Sequence, residues 1–456
     1  MNLVVSESTL ENRITELLEV RAVANARFFE AEADRIARLC HAMAERFARG
    51  GRLLATGASP QGRSDARHVA VEFVHPVIVG KRALPAIGLA AEGGRLAEQV
   101  ALSCGPDDML IAFGEKSDGE TVTAVSRARE LGCLTVAFAS VGAEWELEAP
   151  SADPFVRQEL VETLYHLLWE LVHVFFEHRG LLEGRDAEPL HDAGPSSFLY
   201  PFLAERETNL DGVLGDVHAS VLAKAQEIAD LRERTVRAGR SELVAAAAAL
   251  RDAFAAGGTL YVFGNGGSAT DAADAVADFR FPPHNWPARR ALDLTEDSGI
   301  LTALANDIGP DVLFARQLIA YGREGDAALA ISTSGGSQNI VSALAEARRR
   351  GLVTIALVGY DGGRIADEAL ADHVIVTPSQ HIPRIQEAQA TVYHVLRELV
   401  EYAWGKPRFP DGPPSARIVD SGSVKPSRPS ESALGRNADP GQRGIASTAE
   451  MRSGGG

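Results

Sequence analysis

The stretch Leu260–Phe281, LYVFGNGGSATDAADAVADFRF, decides how the rest of the chain is read. Leu260–Phe263 is a short apolar run of the kind that forms a buried strand. Gly264, Gly266 and Gly267 permit a tight turn behind it. Ser268 and Asp271 sit where a helix begins, and the alanine-rich run after them favours that helix. Such a unit exposes backbone N–H groups at the positive end of the helix dipole, which makes an anion site. A second unit of the same kind follows. Ala327–Ile331 is strand-like, Ser332-Thr333-Ser334-Gly335-Gly336-Ser337 is a hydroxyl-rich turn, and Gln338–Arg350 has helical periodicity with Ile340, Leu344 and Ala347 on one face. The hydroxyls of Ser332, Thr333, Ser334 and Ser337 supply donors for the oxygens of a phosphate monoester.

Outward from these units the chain repeats itself. Ala128–Phe138, ARELGCLTVAF, pairs with Ala347–Leu357, ARRRGLVTIAL. Arg157–Leu168, RQELVETLYHLL, pairs with Ile385–Leu396, IQEAQATVYHVL, so that Gln158 matches Gln386 and His166 matches His394. In the first copy, strands are expected at Arg52–Thr56, Ala86–Leu89, Met109–Phe113 and Leu134–Ala139. Gly57–Gly62 reads as a turn, and Arg63–Phe73 and Val156–His178 as helices. Glu11–Arg49 is amphipathic, one helix or two, and Phe202–Ala256 plays its part in the second copy. Alternating strands and helices imply a parallel α/β sheet in each copy. Gly180–Pro201, rich in Gly, Pro and Ser, reads as a linker. Lys406–Gly456, poor in large apolar residues, reads as a disordered tail.

FGNGGSA-x-DA, ISTSGGSQN and the later RIQEAQATVYHVL (Arg384–Leu396) together resemble the sugar isomerase (SIS) superfamily, its phosphoheptose isomerase branch in particular. The resemblance covers roughly Ser196–Gly405 well and, more weakly, Ser6–Gly180. It implies two tandem three-layer α/β/α SIS domains, 6–180 and 202–405, each a mostly parallel sheet flanked by helices. It also implies an aldose–ketose isomerisation of a phosphorylated sugar such as sedoheptulose 7-phosphate, with no redox cofactor. Members of this family are usually tetramers, so a homodimer of two-domain chains is expected. The grip on phosphate falls on Asn265, Gly266, Gly267, Ser268, Ser332, Thr333, Ser334 and Ser337. Asp297 matches a family position that hydrogen-bonds sugar hydroxyls.

The two copies divide the remaining motifs. The first copy has Pro60 in place of the glycine turn, removing a backbone donor, and Glu115, Asp118 and Glu120 in place of the hydroxyl turn, where carboxylates repel a phosphate dianion. It keeps His68 and Glu72 at i,i+4 on one helix face, and Gln158 and His166 about two turns apart on another. In the family the matching residues line the active site and can bind a zinc ion. Glu is the base and the final His its acid/base partner. Carried over, these are His68, Glu72, Gln158 and His166. In the second copy Asp274 and Asp278 stand where His68 and Glu72 do, while Gln386, read as substrate-binding, and His394, read as catalytic, remain. Asp for Glu shortens a base by about one C–C bond, and catalytic placement tolerates little such error. A composite site is therefore expected, with phosphate held by the second half and proton transfer supplied by the first. The alternative is a non-catalytic sugar-phosphate sensor or protein-binding scaffold, as in the DnaA initiator-associating protein. Glucosamine-6-phosphate synthase shares the tandem SIS domains, but its amidotransferase half has no counterpart here.

Bulk properties leave room for a small phosphorylated ligand held by backbone N–H groups and hydroxyls. The 456 residues are 45% hydrophobic, enough for real cores, and a formal net charge of −17 argues against nucleic-acid or anionic-membrane surfaces. Three scattered cysteines and a polar, acidic N-terminus without signal-peptide character point to the cytoplasm.

Overall fold

The computed structural model describes residues 7–77, 81–89, 95–177, 209–283 and 285–402. The linker and tail expected from composition lie outside them. The first half runs α1 (Glu7–Ala48), β1 (Leu53–Gly57), α2 (Pro60–Val74), β2 (Ala86–Leu89), α3 (Leu96–Ser103), β3 (Met109–Phe113), α4 (Gly119–Glu130), β4 (Leu134–Ala137), β5 (Trp145–Glu146) and α5 (Pro154–Glu177). The second runs α6 (Leu210–Ala238), α7 (Arg240–Ala255), β6 (Leu260–Gly264), α8 (Gly267–Arg280), β7 (Ala291–Asp293), α9 (Ser298–Asp307), α10 (Leu313–Tyr321), β8 (Ala327–Ser332), α11 (Gln338–Arg349), β9 (Val353–Gly359), α12 (Gly363–Asp367), β10 (His373–Thr377) and α13 (Ile382–Tyr402).

Each half forms a five-stranded sheet, in the orders β2-β1-β3-β4-β5 and β7-β6-β8-β9-β10. All pairings are parallel, and their registers correspond: Leu53 pairs with Ala86 and Met109, as Leu260 pairs with Ala291 and Ala327. One topology has been built twice. The central strands β1, β3, β6 and β8 are buried along their whole length, as continuous apolar runs in a parallel sheet must be.

Two expectations change in detail. The stretch read as Glu11–Arg49 is the single helix Glu7–Ala48, and α2 starts three residues earlier than Arg63. Pro60 is not part of an open turn. Its fixed φ suits the first helical turn, and Ser59 Oγ accepts from the Gly62 N–H at 2.9 Å as the cap.

The long helices cross between halves. On α1, Phe28 to Ala48 pack over the first sheet, but Leu10, Ile14, Leu17 and Leu18 join the core of the second. On α6 the arrangement is reversed: Val213, Val217, Val221 and Ala225 belong to the first core and Val236 to the second. Burying each such side chain stabilises by about 1.5–3 kcal/mol, so each half is partly held by the other's helix. Polar links run the same way. Asn25 Nδ2 donates to the Ala225 carbonyl at 2.9 Å, and Arg21 lies between Glu159 at 3.0 Å and Glu398 at 3.3 Å.

Candidate active site

β6 lies between β7 and β8, so the chain leaves it in one direction and returns on the other side. The crevice at the carboxyl ends of β6 and β8 is a topological switch point, where open α/β sheets bind ligands. Both glycine- and hydroxyl-rich turns end there. Asn265 and Asn339 tie them together with a reciprocal amide pair at 3.0 and 2.9 Å. Ser332 Oγ accepts from the Gly335 N–H at 3.1 Å, and Gly335 (φ +61°) passes so close to Gly362 that a side chain could not fit. Ser268 is buried in the first turn of α8, and Asp297 caps α9 by accepting from the Ile300 N–H at 2.9 Å.

The ends of the helices separate the two halves. No side chain caps α8, which begins after Gly266 (φ +59°), and none caps α11 after Ser337. The Ser268, Ala269 and Ile340 N–H groups turn back to the Asn265, Gly266 and Ser337 carbonyls, while no described hydrogen bond takes the N–H groups of Gly267, Gln338 and Asn339, which are left for another acceptor. In the first half both equivalent positions are filled. Ser59 caps α2, and the Asp118 carboxylate accepts from Glu120 and Thr121 N–H at 3.1 and 3.3 Å to cap α4. A carboxylate already stands where an anion would be held.

The first half brings its own group to the second half's turn. α2 packs against α8, with Ser64 Oγ donating to the Thr270 carbonyl at 2.7 Å. This sets His68 beside Gly267: a Cβ added there would stand 3.1 Å from His68 Nε2. Around His68 Nε2 lie Gln386 Nε2 at 3.2 Å, His166 Nε2 at 3.4 Å and Glu72 Oε1 at 3.8 Å, all buried. Tyr165 Oη lies 2.9 Å from His68 Nδ1. Burial, reinforced by His166, holds the His68 imidazole well below its usual range, so it is neutral. Burial pushes the Glu72 carboxyl up against the pull of His166, and Glu72 Oε2 has no hydrogen-bond partner.

Of the first-half set expected from sequence, His68, Glu72 and His166 come together and Gln158 does not join them by any described hydrogen bond. Its amide nitrogen is buried without a partner, and the glutamine beside His68 is Gln386, from the other copy. The reason is the packing of α5 against α13: each copy's final helix reaches into its neighbour's site. His166 Nδ1 lies 3.0 Å from Glu387 Oε1, and His394 Nδ1 lies 2.9 Å from Glu159 Oε1. The exchange is reciprocal, as across a two-fold axis.

The mirror position differs. His394 Nε2 is 3.3 Å from Asp278, so both its nitrogens face carboxylates, and Phe155 stacks on its ring at 4.7 Å. Burial opposes a charge there, but Asp278 and Glu159 raise the His394 pKa. It lies between the Asp278 and Glu159 carboxylates. Asp274 and Asp278 are buried, not solvated. Burial likewise pushes up Asp274, Asp271 and Glu162, and Asp65 to about 8.

A SIS domain model matches residues 225–359. The phosphoheptose isomerase of Roseiflexus sp. (strain RS-1) is 39% identical over 193 residues, 41% of this chain and 91% of that protein. That of Geobacter sulfurreducens is 42% identical over 193 residues, 41% of this chain and 97% of its own. The chain belongs to the phosphoheptose isomerase family of SIS proteins. Less than half of it accounts for nearly a whole relative. The C-terminal domain of glucosamine-fructose-6-phosphate aminotransferase from Francisella tularensis has the same fold over 86% of this chain and 95% of its own, with a TM-score of 0.54 at 9% identity. That fold likeness therefore spans both halves. Among the described residues no helix is long and apolar enough to cross a membrane.

Proposed function

We propose that the chain is an aldose–ketose isomerase for a phosphorylated sugar, sedoheptulose 7-phosphate or a close relative, with one composite site per chain. The observation that carries this is the seat of His68, from the first half, directly against Gly267 in the uncapped turn of the second. The turns at Asn265–Ser268 and Ser332–Ser337 hold the phosphate through backbone N–H groups and hydroxyls. The sugar carbonyl end then meets Glu72, His68, His166 and Gln386. Glu72 has a raised affinity for protons and an uncommitted oxygen, which suits a base that lifts the proton beside the carbonyl. His166 exchanges the proton on oxygen. Gln386 holds the developing enediolate by a hydrogen bond from its amide, with neutral His68 beside it orienting that amide.

The donor set also fits zinc. One ligand atom each from His68, Glu72 and His166 lies within 4.8 Å of the others, and Glu72 Oε2 is free to coordinate. Zn²⁺ held there, with Gln386 beside it, would polarise the carbonyl as a Lewis acid. Subunit pairing into a homodimer of two-domain chains is part of the proposal.

A coupled assay with sedoheptulose 7-phosphate tests this reading. Glu72→Gln is expected to lower kcat by about 10²–10⁴-fold while sugar-phosphate affinity, measured by calorimetry, stays within about threefold. Unchanged turnover would remove Glu72 as the base. Tight binding without turnover in the wild type would leave a sugar-phosphate sensor.

A further inference from the structure

We propose that Glu387, in the second half, is the positioning residue for His166 of the first, fixing which imidazole nitrogen faces the sugar. The catalytic part of this rests on the isomerase reading. The positional part does not.

Glu387 is fully buried, and its carboxylate is held in place by three groups from three directions: Arg384 pairs with Oε1, Thr163 Oγ1 donates to Oε2 at 3.2 Å, and His166 Nδ1 approaches Oε1 at 3.0 Å. Arg384 is anchored in turn by Glu170 at 3.1 Å. Paired with the Arg384 guanidinium and taking a hydrogen bond from Thr163, the Glu387 side chain stands there as a carboxylate. An ionised carboxylate only accepts hydrogen bonds, so the imidazole must present N–H at Nδ1. Its lone pair is then at Nε2, the nitrogen that faces His68 and the Glu72 pocket. The mirror pair supplies an internal control. Glu159 holds His394 Nδ1 in the same way, braced by Arg21 at 3.0 Å and Thr391 Oγ1 at 2.7 Å, but His394 Nε2 faces the Asp278 carboxylate at 3.3 Å instead of a neutral histidine.

The test uses the full chain labelled with ¹⁵N-histidine. In Glu387→Leu the acceptor facing His166 Nδ1 is gone and the proton is free to move to Nε2, whereas Glu387→Gln keeps its amide oxygen on Arg384 and His166 together and turns its NH₂ to Thr163, so the tautomer stays. The His166 ¹⁵N shifts should report Nδ1–H in the wild type and in Glu387→Gln, and a gain of Nε2–H in Glu387→Leu. kcat should fall at least about 100-fold in Glu387→Leu with KM within about threefold, and should be largely restored in Glu387→Gln. Glu159→Leu loses a comparable buried contact and should melt at a similarly lowered temperature, with kcat within about threefold of wild type. An unchanged His166 tautomer in Glu387→Leu overturns the proposal, as does an equal loss of kcat in Glu159→Leu. If no sugar phosphate is turned over by the wild type, the isomerase reading fails, and the tautomer shift alone decides the positional role.

Discussion

Replacing Gly267 with alanine separates catalysis from stability at one atom. Gly267 opens α8 with an ordinary φ, so its backbone accepts an L side chain. The added methyl would overlap the Gln386 amide nitrogen and stand 3.0 Å from its Cδ and 3.1 Å from His68 Nε2. The colliding atom ends a flexible side chain, so the fold survives: Gln386 swings away by about 1 Å or more at an overpacking cost of about 1–3 kcal/mol. Alanine's lower chain entropy offsets about 0.5–1 kcal/mol of that. The net loss of at most about 2.5 kcal/mol is a modest drop in melting temperature. Catalysis is hit harder. Gln386 leaves its 3.2 Å contact with His68, and the methyl occupies the approach between the phosphate turn and the proton-transfer groups. Misplacement of this size costs about 100-fold in kcat/KM. Steady-state kinetics in the coupled assay and a thermal melt on the same preparation measure both. Gly267→Ala with kcat/KM within about twofold of wild type would refute the composite site, because nothing would then pass between Gly267 and His68.

The two sets of turns should respond oppositely to trimming. Ser334→Ala with Ser337→Ala should raise KM about tenfold or more through lost phosphate contacts, whereas Asp118→Ala should cost about 1 kcal/mol of stability through the lost cap of α4 and leave KM unchanged, as kinetics and melts will report. Calorimetric titration with the sugar phosphate should give one site per chain, since Ser59 and Asp118 already fill the first half's helix ends; two equal sites would contradict this. Asp65 makes stability depend on pH. Its folded pKa, raised by burial to about 8, lies above its unfolded value, so the folded state prefers it protonated and stability falls as pH rises from about 4 to 8. Asp65→Asn should therefore gain melting temperature over wild type at pH 8 and little at pH 4; an equal difference at both values would reject the assignment.

Much of the architecture was legible because parallel strands are continuous apolar runs and the punctuation around them is strong. Leu260–Phe263, Ala327–Ile331 and Met109–Phe113 fall where their residues indicate, and the duplication is visible in aligned pairs such as Gln158/Gln386. What sequence order conceals is which copy serves which site. Gln158 and His166 share a helix, and spacing along one helix invites them into one site, but the crossed packing of α5 and α13 puts Gln386 beside His68 instead. Glu159 and Glu387 were in plain view, each seven residues before a retained histidine. Their meaning lies across the interface and no periodicity carries it. The short β5 was missed because two residues cannot establish a pattern. The buried acids Asp65, Asp271 and Asp274 look like solvated helix charges until α2 and α8 are laid face to face.

The crossing of α1 and α6 has a consequence for how such a chain can change. In an assembly of identical subunits every substitution arrives in all copies at once, so a residue useful in one seat must be tolerable in the others. Here each long helix is tethered to a unique companion, and the two seats inherit independently. One copy could exchange its glycine turn for Pro60 and its hydroxyl turn for Asp118 while the other surrendered a histidine for Asp274. Neither lineage could now live alone: cut between the sheets, each piece would carry half a helix of greasy side chains with no surface to cover.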